Sequence, residues 1–189
     1  MHTQAFLNYL KQISPMGEDS CQAFASKCAS LHFSKGTYLL EAGHVCKDLY
    51  FVQSGIGKVY YQKEDGKEII DWISDEGNIL TSVSSFLTQT PSMHYVKLIE
   101  DSELVRISYD DLESLFSQYH EMERLGRKLT IMALAQLQGR INSMQFETAK
   151  KRYERFLLQY PNCIDRISLG DLASFLGMTQ VTLSRVRAM

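Results

Sequence analysis

Between Thr179 and Arg187 the chain reads TQVTLSRVR. Wound as a helix, it turns Leu183 and Val186 to one side and leaves Thr179, Gln180, Val181, Thr182, Ser184, Arg185 and Arg187 facing outward. The Gln180 amide can bond adenine at two atoms, an arginine fork can grip guanine O6 and N7, and Val181 can touch a thymine methyl. The hydroxyls of Thr179, Thr182, Ser184 and nearby Ser168 suit phosphate oxygens. These are the side chains of a helix that lies in a DNA major groove. A plain helical hairpin with a polar exterior would carry similar residues, so the elements that position them must decide.

Ser168 is a good N-cap, with Asp171 three residues on in a capping-box-like pair, and it opens a helix over 169–176. Gly177 supplies the left-handed conformation that a tight corner needs. Thr179 then caps a second helix from Gln180 to about Ala188. Leu172, Phe175, Leu176, Met178, Leu183 and Val186 face inward, and small Ala173 falls where two steeply crossing helices approach. The pattern predicts a helix-turn-helix.

The remainder of the chain divides by texture. Residues 4–30 read as helical, with Phe6, Leu7, Leu10 and Ile13 on one stripe and Phe24 and Cys28 on a second after Pro15. From Leu31 to Ser108 come short β-rich runs, with Gly36, Gly43, Gly55, Gly66 and Gly77 as punctuation, which predicts an antiparallel sandwich or barrel. Asp65-Gly66 marks a hairpin. A long helical pattern follows, in which Met122, Leu125, Leu129, Met132 and Gln136 alternate by three and four residues; this predicts either a seam with a second copy or packing on the chain's own β domain. A further helix is expected over 139–160, ended by Pro161-Asn162. The expected units are a sensor roll over 1–115, a dimerisation helix over 116–138 and a DNA-binding head over 139–189.

Charge supports that division. The 189 residues carry a net −2, yet from Gly139 onward eight Lys/Arg face four acids, a balance of +4 that leaves −6 on residues 1–138. A basic end on an acidic body is the asymmetry expected when only the end meets phosphate. A solvated helix face would also produce it.

With these segments in view, the chain resembles the Crp/Fnr superfamily of bacterial transcription regulators. KGTYLLEAGHVCKDLYFVQSGIGKVYY, Lys35 to Tyr61, is similar to the start of a cyclic-nucleotide-binding β-roll, and LASFLGMTQVTLSRVR resembles the family's helix-turn-helix. The resemblance implies an α+β chain: an N-terminal antiparallel jelly roll with flanking helices, a long dimer helix and an all-α head. It implies double-stranded DNA as partner, a homodimer, and a head that also touches RNA polymerase. Effector binding would shift the long helices and so the spacing of two recognition helices on successive major grooves. Winged members continue into a β-hairpin, whereas only Ala188 and Met189 follow Arg187 here, so the expected head lacks a full wing. Lys150, Lys151 and Arg152 are then the expected phosphate grip, unless the chain is a truncation.

The ligand cassette departs from the family. Cyclic-AMP-binding members carry Gly-Glu and, about ten residues later, Arg-Ser or Arg-Thr, for the ribose hydroxyl and the cyclic phosphate. The stretch from Gly77 to Ser108 places Thr81-Ser82 and Ser92-Met93 there, with Val83, Ser84, Ser85 and Thr88 between. Neither charge survives, so cyclic AMP is expected not to bind in the usual manner. The serine-rich cassette is expected to hold a neutral or weakly charged effector, to satisfy its own turns, or to take a nucleotide in an altered pose. No cofactor is assigned.

Other classes find little support. A cupin enzyme needs clustered histidines and a carboxylate, while His32, His44 and His94 are isolated with no HxH. A haem sensor would draw on His44, Cys46 or His94. Cys21, Cys28, Cys46 and Cys163 form no CxxC, which argues against a zinc site, a disulfide framework or a four-cysteine cluster, although Cys21 and Cys28 are close enough to leave redox chemistry open. GxSxG, P-loop and HExxH motifs are absent, and no enzyme is expected. With neither a long apolar run nor signal-peptide features, the expected location is the cytoplasm, with no membrane partner.

Overall fold

The computed structural model describes residues 3–188; Met1, His2 and Met189 lie outside the described residues. The chain opens with α1 (Thr3–Ile13) and α2 (Glu18–Lys27) and enters the strands β1 (Ala29–Phe33), β2 (Tyr38–Leu40), β3 (Asp48–Ser54), β4 (Gly57–Gln62), β5 (Glu68–Ser74) and β6 (Ile79–Leu80). Helix α3 (Val83–Thr88) interrupts them before β7 (Tyr95–Leu98) and β8 (Ser102–Ser108). Helices α4 (Tyr109–Gln118), α5 (His120–Phe146), α6 (Ala149–Gln159), α7 (Leu169–Phe175) and α8 (Gln180–Arg187) complete the chain.

The strands form two antiparallel four-stranded sheets among the described residues, ordered β1-β8-β3-β6 and β2-β7-β4-β5. This is a jelly roll flanked by helices, as expected. The β4–β5 hairpin turns where Asp65-Gly66 predicted it: Gly66 takes φ +81°, and the Asp65 carboxylate accepts from the Lys67 amide at 2.9 Å. Helix α3 was not anticipated, because VSSFLT has no recurring stripe long enough to separate it from a loop.

Among the described residues, three apolar clusters form the core. Inside the roll, Tyr50, Val52, Val59, Leu80, Val96, Leu98 and Leu104 pack between the sheets. On one outer side, α1, α2, α4 and the start of α5 close over β3 and β8, with the Phe6 ring stacked on Phe51 at 4.6 Å. The third cluster joins Ile56, Tyr60, Ile70 and Ile73 of the roll to Phe156, Tyr160, Leu172, Phe175 and Leu183 of the C-terminal helices. Each such side chain removed from water contributes about 1.5–3 kcal/mol, so roll and head share one core.

The long helix differs from its expected bounds. It runs His120–Phe146, past the expected end at 138, and a separate α6 begins behind the Thr148 cap, whose hydroxyl accepts from Lys151 N at 3.3 Å. The single helix expected over 139–160 is therefore two. The break follows from Thr148, an oxygen-bearing cap that satisfies a free amide of a new helix.

Candidate nucleic-acid interface

The two caps predicted around Gly177 both form. Ser168 Oγ accepts from Asp171 N at 3.0 Å, and Thr179 Oγ1 accepts from Thr182 N at 3.1 Å. Gly177 sits at φ +62°, the left-handed conformation that favours glycine, while the Met144 sulfur, 2.7 Å from where a β-carbon would stand, ends a flexible side chain that can move aside. Leu172, Ala173, Phe175, Leu176 and Leu183 are buried, with Met178 and Val186 half-buried. The α7–α8 corner is thus a packed helix-turn-helix. Helix α7 ends one residue before the expected Leu176, which serves as its C-cap.

On α8 the structure leaves Gln180, Val181, Ser184, Arg185 and Arg187 exposed, together with Thr179 and, in front of α7, Ser168. Thr182 is half-buried, and its hydroxyl pairs with that of Thr179 at 2.9 Å. Ser168, Thr179 and Thr182 therefore spend hydroxyl capacity on holding the corner. The exposed chemistry is concentrated in Gln180, Val181, Ser184, Arg185 and Arg187.

The basic character of this end is smaller at the surface than the sequence suggests. Arg152 gives its donors to the carbonyls of Glu147 at 2.7 Å, Leu176 at 2.8 Å and Gly177 at 3.4 Å, which removes it from the expected phosphate grip. Arg155 pairs with Glu147. Arg166 makes a bidentate pair with Glu76 at 2.6 and 3.0 Å and also bonds Glu100. Lys150, Lys151, Arg185 and Arg187 remain exposed.

Several charges instead bind the head to the roll. Lys58, buried on β4, donates to Glu68 at 2.5 Å and to Asp171 at 3.0 Å. Burial opposes that ammonium, and the two carboxylates outweigh burial and raise its pKa. The Asp171 carboxylate thus reaches across to the roll, and only the Ser168 half of the capping box stands. Ser174 Oγ accepts from Ile70 N at 3.0 Å, which supplies a partner for the backbone of edge strand β5. The Arg166 guanidinium holds the Glu76 carboxyl down at about 2. These joint residues were missed in the sequence. The one signal available was Lys58, a charge inside the apolar run IGKVYY.

Within the roll, Ser82 is 1% exposed and Ser92 5%, and their hydroxyls bond each other at 2.9 Å. Ser92 Oγ also accepts from His94 N at 2.9 Å. Ser85 accepts from Cys46 N at 2.9 Å and donates to Thr90 O at 2.5 Å, while Thr81 donates to Asp48 O at 3.1 Å. Val83, Ser84 and Met93 are exposed. The cassette positions come together, and they are occupied by one another.

On α5, Met122 and Leu125 are buried and Leu129 half-buried against their own chain, on the α1–α2–α4 cluster. Met132 and Gln136 are exposed. Of the five residues expected in a seam, the first three are taken up by the chain's own domain, while 3.6 residues per turn carries Met132 and Gln136 down the same face into the open. The opposite face is apolar and open, with Ile131 54%, Leu134 65% and Ile141 55% exposed.

Residues 30–119 match the family model of the cyclic nucleotide-binding domain. The chain is 25% identical to the fumarate and nitrate reduction regulatory protein of Yersinia pestis, across 80% of this chain and 64% of the relative. It is 22% identical to the cAMP-activated global transcriptional regulator CRP of Pasteurella multocida, across 94% of this chain and 90% of that protein. Residues 30–119 thus carry a cyclic nucleotide-binding domain, and along most of its length the chain is similar to transcription regulators of the Crp/Fnr superfamily. The Crp/Fnr fold is matched in the structure of FixK2 from Bradyrhizobium japonicum, at 19% identity over 85% of this chain and 83% of that one, with a TM-score of 0.73. The chain spans 64% of the length of the Yersinia relative. Among the described residues no helix is long and apolar enough to cross a membrane.

Proposed function

We propose that the protein is a homodimeric, sequence-specific DNA-binding transcription regulator whose roll does not take cyclic AMP in the usual manner. The observation that carries the DNA reading is α8: a capped helix anchored by buried Leu183, with Gln180, Val181, Ser184, Arg185 and Arg187 presented outward. The Yersinia and Pasteurella relatives, both named as regulators, support it. Arg185→Ala is expected to cost about 1–3 kcal/mol on the selected site and to relax specificity at one base pair, whereas equal loss on random duplex would make it a phosphate contact. DNA selection followed by binding at fixed salt measures both. Complete indifference of the selected site to Arg185 and Gln180 substitution would sink the reading.

Cyclic AMP is disfavoured by the Ser82–Ser92 pair. A cyclic phosphate brought there meets no guanidinium, forfeiting a charge-assisted bond of roughly 1.5–3 kcal/mol, and must also break hydroxyl bonds already made. The cavity at the mouth of the roll, about 370 Å³, is lined by the carboxylates of Glu41 and Asp48 together with Lys47, Tyr38 and Tyr50, and favours a neutral or cationic effector over a phosphate. Calorimetric titration with cyclic AMP and cyclic GMP is expected to give no heat in the micromolar range; micromolar binding of either would overturn this part.

A further inference from the structure

We infer that the cavity enclosed by β5, α5, α6 and α7 is a second ligand site, built for a small flat organic anion: an oxyanion carried on a single aromatic ring. Its volume is about 230 Å³, below the usual 300–1,000 Å³ of small-molecule pockets, which suits one ring and is small for a nucleotide. Trp72, Phe156, Tyr160 and Phe175 supply aromatic wall, Arg140, Arg152 and Arg155 supply positive charge, and no carboxylate lines it.

Arg140 is the centre of the argument. Its guanidinium lies 4.3 Å over the Phe175 ring and gives one hydrogen bond, to Ile70 O at 3.3 Å. No carboxylate among the described residues comes within ion-pair distance of it. Burial lowers its pKa, and the Asp71 carboxylate, outside ion-pair distance and not in the cavity wall, offsets that burial only in part. Arg152 is fixed by three carbonyls that leave its charge uncancelled, so the wall carries more positive charge than Glu147 neutralises at Arg155. An incoming oxyanion would supply the missing partner.

The site stands clear of the face open to a second copy. Gln136, Gly139, Arg140 and Ser143 line it from α5, half a turn around the helix from Ile131, Leu134 and Ile141. It also stands apart from the Ser82–Ser92 cassette, from which no residue lines it.

Trp72 is the chain's only tryptophan, so its emission reports the cavity directly. The intact chain is titrated with phenyl phosphate, benzoate, inorganic phosphate and benzamide. Phenyl phosphate or benzoate is expected to change Trp72 emission saturably, at least tenfold tighter than benzamide or inorganic phosphate; the better of the two identifies the oxyanion. Arg140→Gln is expected to weaken that binding at least tenfold, and Arg155→Gln at the exposed rim at least threefold with the melting midpoint unchanged. Absence of saturation by about 10 mM, binding weaker than roughly −2.7 kcal/mol, overturns the site. So does equal binding of benzamide or inorganic phosphate, or unchanged affinity in Arg140→Gln. Should that variant fail to fold, unchanged affinity in Arg155→Gln overturns it instead. No DNA enters the measurement, so its result is independent of what α8 reads.

Discussion

Residue by residue, charge in this chain acts more as internal mortar than as DNA-facing surface. Arg166 lies in the turn segment between α6 and α7 yet clasps Glu76 and Glu100 of the roll, and Glu76 also accepts the Gly55 amide at 2.9 Å. With the Glu76 carboxyl lowered from 4.5 to about 2, the folded state binds its proton less readily than the unfolded one. The stabilisation is therefore present above pH 4.5 and is lost as pH falls toward 2. Chemical denaturation across that range is expected to show a steep acid limb in the parent chain and a shallower one in Arg166→Ala; identical limbs would dismiss the pair as a contributor. Because the Glu76 side chain is 36% exposed, solvent screening keeps the effect modest. The Ser82–Ser92 pair makes the same point without charge, since two hydroxyls that satisfy each other have no remaining need of a ligand.

At the level of elements, α5 does two jobs on opposite faces. Its first turns bury Met122 and Leu125 in their own domain, and from Ile131 onward the far face turns apolar and open. Met132 and Gln136 continue the face of Met122 and Leu125, and Ile131, Leu134 and Ile141 lie on the other, so the proposed homodimer is expected to use the latter set. Leu134→Arg is expected to weaken self-association at least tenfold, read by sedimentation equilibrium, because a charge in an apolar seam loses about 1.4 kcal/mol or more. Gln136→Arg is expected to leave association unchanged. The reverse outcome would restore the frame drawn through Met122 and Gln136. The alternation by threes and fours in the sequence marks one face of α5, whose first three residues pack on the chain's own domain and whose last two, Met132 and Gln136, are exposed.

Across the whole molecule, head and roll are welded by a shared apolar cluster and by the Lys58–Asp171, Arg166–Glu76 and Ser174–Ile70 links. The two halves are expected to unfold together: thermal transitions followed by Trp72 emission and by far-ultraviolet dichroism should coincide. A helical loss preceding the tryptophan change would mean that the head detaches first. Local rules fixed by few neighbours were legible without any structure. The Asp65-Gly66 hairpin, the Ser168, Thr179 and Gly177 signals, the roll's turn glycines and the Leu172–Leu183 packing each depend on residues near in sequence, and each formed. Long-range choices were not legible: which face of α5 meets the chain's own domain, where the arginines of the basic end find partners, and that Asp171 leaves its capping box for Lys58. Such choices pair residues far apart in the chain, as Lys58 with Asp171 and Glu76 with Arg166, and a pairing of that kind carries no sequence period; only the folded positions of the strands and helices decide it.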